Sequence, residues 1–282
     1  MAETAATEDR GETGVSEQGT PADAIDTSRP HPARMYDYFL GGRDNYEVDR
    51  EAAERVIAIS PDARPSARAN RAFLRRAVKT VVDSGIRQIV DIGTGIPTSP
   101  NTHEVAQESA PGVRVAYVDN DPIVGVHAGA RLTHTGDTGF ALADVRSPES
   151  VLGHPIVREL IDFDEPVALL MVAVLHFIRD EEDPAGIVRT LTDALPKGSC
   201  LVLTHGTADF HQHVDGDATE VYRQATATLN IRPHDGILPF FDGYDLLDPG
   251  LVQVPLWRPD APLPDVDDIR RIAFYGGVGI KD

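Results

Sequence analysis

The sequence predicts an α/β fold, a parallel sheet with helices on both faces. Three observations point to it. Strand-like apolar stretches and amphipathic helix-like stretches alternate from Ile86 to His205, the pattern of strands joined by crossover helices. Val167–Leu175 is an unbroken apolar run of nine residues, as expected of a central strand covered on both faces. Acidic residues recur at the ends of three successive strand-like stretches, Asp91, Asp119 and Asp144, on the sheet edge where open α/β folds bind ligands.

The elements follow in order. Residues 1–27 hold seven acids and one base and almost no large apolar side chain. Such a segment cannot offset the entropy of ordering, so it reads as a disordered acidic tail. Met35–Leu40 is aromatic and apolar, and Gly41-Gly42 breaks it. Glu47–Ile59 reads as a helix, with Val48, Ala52, Val56 and Ile59 at helical spacing. Pro61 and Pro65 interrupt; Ser66–Ser84 is a second helix, which Gly85 ends. Strands are expected at Ile86–Ile92, Val113–Val118, Thr138–Ala143, Val167–Leu175 and Ser199–His205, and helices at Asn101–Ser109, Pro122–Leu132, Pro148–Leu160 and Pro184–Leu195. Asn101 with Glu104 has the spacing of a helix-capping box. Phe240–Trp257 and Ile269–Val278 read as a closing pair of strands joined by a loop at Pro259–Pro264. The organisation is thus a tail (1–27), a helical extension or lid (28–85) and a ligand-binding domain (86–282).

Composition excludes several classes. The chain has 282 residues and a net charge of −19, which opposes phosphate neutralisation and a general nucleic-acid surface. No apolar run approaches the roughly 20 residues of a membrane helix. The N-terminus lacks the basic and apolar regions of a signal peptide. The lone cysteine, Cys200, cannot form an internal disulfide or a cysteine-rich metal site. A cytoplasmic protein is expected.

The chemistry centres on Val90-Asp91-Ile92-Gly93-Thr94-Gly95. Two glycines one residue apart let the backbone turn and approach a ligand closely, although a tight turn without a ligand has the same pattern. Asp119 lies 28 residues after Asp91 at the next strand end, where a carboxylate accepts hydrogen bonds from ribose hydroxyls. Thr98 stands where a dinucleotide fingerprint has its third glycine, and Pro97-Thr-Ser-Pro100 separates the glycines from the next helix. That disfavours a pyrophosphate at a helix N-terminus, and with it a nicotinamide dehydrogenase. A ligand with ribose and adenine but no pyrophosphate fits, as in S-adenosylmethionine.

At these residues the sequence resembles class I S-adenosylmethionine-dependent methyltransferases. More narrowly, it resembles the bacterial S-adenosyl methyltransferase family, whose substrates are poorly defined. The matching stretches are Arg34–Asn45, Asp91–Thr98, Asn101–Glu104, Tyr117–Pro122, Val172–Phe177 and Tyr275–Gly279. The resemblance implies a Rossmann-like, seven-stranded, mostly parallel sheet with an antiparallel last strand. It implies S-adenosyl-L-methionine as cofactor, with Gly93, Thr94 and Gly95 near its methionine part and Asp91 orienting its amino group. Asp119 would take the ribose hydroxyls, Asn120 would also contact the cofactor, Asp144 and Val145 would meet the adenine, and Ala173 would line the site. Arg34, Tyr36, Tyr38, Asp44, Asn45 and Tyr46 would form a lid over the cofactor and substrate.

No Pro-Pro motif of nucleic-acid amino methyltransferases follows the fourth strand, and Cys200 sits in a strand rather than at a nucleophile position. A small-molecule acceptor is therefore expected. His176 either acts as a general base or packs beside the cofactor. His205, His211 and His213 have metal-ligand residue types, but the resemblance needs no metal and none is expected. A binding module for the cofactor or its product, without methyl transfer, is the competing reading. Oligomeric state is not legible.

Overall fold

The computed structural model describes residues 26–131, 136–210 and 217–282. The expected tail falls almost wholly outside them, as do His211 and His213. In chain order the elements are α1 (Pro32–Leu40), α2 (Glu47–Ile59), α3 (Ala63–Asp83), β1 (Gln88–Ile92), α4 (Thr102–Ser109), β2 (Arg114–Asp119), α5 (Pro122–Arg131), β3 (Thr138–Leu142), α6 (Pro148–Gly153), α7 (Pro155–Leu160) and β4 (Ala168–Val172). They continue with α8 (Pro184–Asp193), β5 (Cys200–Gly206), α9 (Asp217–Arg223), α10 (His234–Ile237), β6 (Tyr244–Leu246), β7 (Val252–Gln253), α11 (Val266–Arg270) and β8 (Phe274–Lys281).

One sheet runs β3-β2-β1-β4-β5-β8-β6, and β7 also pairs with β8. The first five of these strands are mutually parallel, and β8 is antiparallel to β5. The expected mostly parallel sheet is present, with eight strands rather than seven. The difference lies at one edge, where β6 pairs with residues 279–281 of β8 and β7 with 275–276.

Strand periodicity divides the core into two layers. Val90, Val118, Leu169, Met171 and Leu201 face one way and pack with residues of α6, α7 and α8. Ile89, Val115, Tyr117, Leu170 and Val202 face the other and pack with Phe73, Ala77, Val78 and Val81 of α3 and with Trp257. Successive residues of a strand point to opposite faces, so central strands need apolar residues throughout. The 28–85 segment is thus not one separate cover. α3 belongs to the core, whereas α1 and α2 make their own cluster of Met35, Phe39, Ala52, Ala53 and Val56 with Val221 and Tyr222 from α9.

Several boundaries differ from the sequence reading. α3 begins at Ala63 and contains Pro65, because a proline in the first helical turn lacks only an N–H that has no helical partner there. The helical stretch expected over Pro148–Leu160 forms two helices, since Pro155 starts a second one and the His154 ring accepts from the Ile156 N–H. The apolar run Val167–Leu175 outlasts its strand: β4 stops at Val172 because Ala173 takes a left-handed φ of 59°. The closing strands are shorter than expected. Leu238–Phe241 and Val254–Leu256 are 3-10 turns, Ile269 lies in α11, and the last strand runs from Phe274 to Lys281. Gly276 in that strand admits a close neighbour: a Cβ there would meet Val254 Cγ1 at 2.8 Å and the Phe73 ring at 3.0 Å.

Candidate functional site

The parallel strands present their carboxyl ends along one edge. Gly93, with φ 68°, turns the chain out of β1, and the Gly93 and Thr94 N–H groups both donate to the Val118 carbonyl. A Cβ on Gly93 would stand 2.2 Å from Val174 Cγ2, whereas one on Gly95 would meet nothing within 4 Å. Thr94 Oγ1 donates to the Asp91 carbonyl at 2.9 Å. At β4, the Ala173 N–H donates to Thr204 Oγ1 at 2.9 Å, holding a non-glycine residue in a strained conformation of the kind that clusters at ligand sites.

The three acids have different surroundings. Asp91 is buried and accepts from Thr102 Oγ1 at 2.6 Å. Burial pushes its carboxyl up to about 6, against that hydrogen bond and the charge of Arg71. Asp119 is also buried and accepts from the Asp121 and Gly95 N–H groups at 3.0 and 2.8 Å. Burial pushes it up to about 6 as well, against those two bonds. Asp144 is more exposed. Burial works against its charge, but the Arg146 N–H, the Asn120 amide and the Arg146 guanidinium outweigh it and hold the carboxyl below its ordinary range.

These strand ends form one wall of a cavity of about 310 Å³. Asp91, Gly93, Thr94, Gly95, Asp119, Asn120, Asp144, Val145, Ala173, His176 and Tyr36 all line it. The opposite wall is apolar, with Phe39, Val56, Ala67 and Leu74 from α1–α3 and Phe177, Tyr222, Leu229, Ile231 and Phe274 beyond them. Asn70 and Arg71 also line the cavity and were not anticipated from sequence. Their signal is position: they sit on α3 between the apolar Ala67 and Leu74.

Five expected lid residues do not line the cavity. Arg34, on α1, is buried, with Nε 3.5 Å from Asp49 and 3.6 Å from Asp121, and its guanidinium lies over the Tyr46 ring. Tyr38 faces away from the cavity, donating to Glu54 and packing under Arg64. The Asp44 N–H and the Asn45 amide both donate to Asp37 Oδ2, and a Cβ on Gly42 would overlap that carboxylate at 1.9 Å. The Asp37–Asn45 stretch is therefore a structural knot that anchors α1. Among the expected lid residues only Tyr36 reaches the site; its hydroxyl donates to the Ala67 carbonyl and accepts from the Asn70 amide.

His176 does not have the geometry of a general base. Its Nδ1 accepts from the Gly206 N–H at 3.2 Å, so in the neutral ring Nε2 carries the proton and can only donate. Burial, with His205 and Arg232 nearby, holds its pKa well below the ordinary range. Both nitrogens of His205 are engaged, one with the Gly206 carbonyl and the other with Arg232. No group of three or more metal-ligating side chains occurs among the described residues.

A profile of the S-adenosyl methyltransferase family matches residues 18–282. This chain belongs to that family. A DUF574 family protein from Streptomyces avermitilis MA-4680 is 44% identical with a TM-score of 0.88, covering 92% of this chain and 100% of its own. A protein from Thermobifida fusca YX, provisionally assigned as a methyltransferase, is 36% identical with a TM-score of 0.85, covering 93% and 99%. No curated protein matches the chain.

The methyltransferase uses S-adenosylmethionine, and the site fits that cofactor. Two buried carboxylates with raised pKa values lie in a cavity without full compensation, a setting that favours a cationic, hydrogen-bond-donating ligand. Membership of this family supports catalysis rather than binding alone. No helix among the described residues is long and apolar enough to cross a membrane.

Proposed function

We propose that this methyltransferase methylates a small, uncharged and largely apolar molecule in a bacterial cytoplasm, and that neither nucleic acid nor membrane is its substrate. The carrying observation is the two-sided cavity: polar strand ends face an apolar wall rich in aromatic side chains. The net charge of −19 supports the exclusion of nucleic acid.

When bound, S-adenosylmethionine supplies a methyl group on a good sulfonium leaving group. The chain's own residues bind and orient. Asp119, with Asn120 beside it, receives the ribose hydroxyls; Asp144 and Val145 border the adenine; Asp91 receives the amino group; Gly93, Thr94, Gly95 and Ala173 let the backbone close on the remainder. α1 and α2 act as the cover, with Tyr36, Phe39 and Val56 meeting the cavity. With His176 unable to accept a proton, catalysis rests on positioning and exclusion of water.

The test is incubation of the enzyme with methyl-deuterated cofactor and a fractionated cell extract. Label in the small-metabolite fraction supports the reading. Label confined to RNA, DNA or protein overturns it. A nitrogen-15 NMR spectrum of His176 should show a neutral ring protonated on Nε2 from about pH 5 to 8; an imidazolium titrating near 6.5 overturns the absence of a base.

A further inference from the structure

We propose that Arg71 is the carboxylate-binding residue of the cofactor site, a role that rests on reading this cavity as the S-adenosylmethionine site. Apart from the neutral His176, three side chains on the cavity wall can carry positive charge: His31, Arg71 and Arg146. Burial lowers the His31 pKa and favours its neutral form. Arg146 is spent on Asp144 and Glu182, at 2.9 and 3.0 Å. Arg71 has no carboxylate partner among the described residues. Its Nη2 donates to the Thr98 and Pro100 carbonyls at 2.6 and 3.0 Å, while its Nε is out of solvent with no acceptor.

A cation held only by neutral carbonyls, with a donor left over, is incomplete. The missing partner is an anion. The strand-end wall offers the cofactor three carboxylates, and the one anionic group of S-adenosylmethionine is its α-carboxylate. Arg71 also stands at the appropriate end. The carbonyls that hold it belong to the Pro97–Pro100 loop, which follows the glycine turn directly, and its charge is felt at Asp91. Asp91 and Arg71 thus form an opposite-charge pair of sites, suited to the ammonium and carboxylate of one zwitterion. The Pro97-Thr-Ser-Pro100 insertion then has a physical role, because its carbonyls aim the guanidinium.

Calorimetric titration of the full chain with S-adenosylhomocysteine and with 5′-methylthioadenosine, which shares the adenosine thioether but lacks the amino acid, tests the assignment. Wild type should prefer S-adenosylhomocysteine. Arg71→Met should weaken that ligand about 10- to 100-fold and change the methylthioadenosine affinity less than about 2-fold, with Arg71→Lys intermediate because a point charge replaces a planar fork. Equal loss for both ligands shows a residue that only holds the loop and overturns the proposal, as does unchanged binding of S-adenosylhomocysteine. Wild type binding both ligands equally tightly overturns the clamp alone. Wild type binding neither ends the cofactor-site reading and the proposal with it. Arg71→Lys keeps a cation under the same carbonyls and provides the comparison if Arg71→Met does not fold.

Discussion

On the strand side of the cavity, hydrogen bonds to backbone and side-chain groups fix the lining residues, Asp91 among them through Thr102. Asp119 is held by two N–H groups, Thr94 by the Asp91 carbonyl and Ala173 by Thr204. On the helical side, Phe39, Val56, Leu74, Tyr222 and Leu229 meet the cavity with apolar surface, and the Tyr36 hydroxyl ties α1 to α3 through Ala67 and Asn70. The first wall is held by directional hydrogen bonds, which under the proposed function suits recognition of one fixed cofactor. The second is shaped mainly by volume, and its hydrophobic contacts are non-directional. Under the proposed function, replacing side chains of the second wall should change acceptor preference without disturbing the first.

The largest effect that tests this contrast is Gly93→Ala. The new Cβ would overlap Val174 at 2.2 Å in a left-handed conformation, costing about 2–4 kcal/mol from overpacking and backbone strain together. Thermal melting should show it, with S-adenosylhomocysteine binding lost. Gly95→Ala meets no neighbour and should cost only the backbone strain, about 1–2 kcal/mol. Equal losses at the two glycines would break the claim that the wall at Gly93 is tightly packed.

Next comes Asp119→Asn, expected to weaken S-adenosylmethionine about 10- to 100-fold. The pH dependence is sharper evidence. Folding raises the Asp91 and Asp119 pKa values from 3.8 to about 6, so the folded chain binds more protons than the unfolded one across that window. Stability of the ligand-free protein should be greatest below about pH 4 as far as these two groups are concerned. It should fall as pH rises through about 6, by roughly 3 kcal/mol per carboxyl. Cofactor affinity should move the opposite way, rising through about 6 as the carboxylates become available. Melting and calorimetry between pH 5 and 7.5 check both signs, and Asp119→Asn should flatten both slopes.

The smallest effects separate the two tyrosines of α1. Tyr36→Phe breaks the link to Ala67 and Asn70 and should cost about 1 kcal/mol of stability. Tyr38→Phe loses only an exposed bond to Glu54 and should stay within about 0.5 kcal/mol. A larger loss at Tyr38 would overturn the assignment of cavity-facing and outward faces to α1.

The sequence by itself determined the parallel sheet, its strand ends and the placement of Asp91, Gly93, Gly95, Asp119 and Asp144 at them. Strand periodicity, glycine turns and apolar runs are local signals, and a parallel α/β topology converts them directly into one ligand-binding edge. Tertiary structure decided what local pattern cannot carry. The family resemblance implies a lid over Arg34–Tyr46, and Gly41–Asn45 lies within it. It is a knot around Asp37, since hydrogen bonds across the loop, rather than composition, choose its direction. His176 looked available as a base because a strand end is accessible in sequence terms, yet the Gly206 N–H, 30 residues away, occupies its accepting nitrogen. Arg71 was one of several arginines on a helix until the Thr98 and Pro100 carbonyls, 27 and 29 residues on, held it against the cavity with a donor unpaired. In each case the deciding partner is distant along the chain, and only packing of the sheet and helices brings it within hydrogen-bond range.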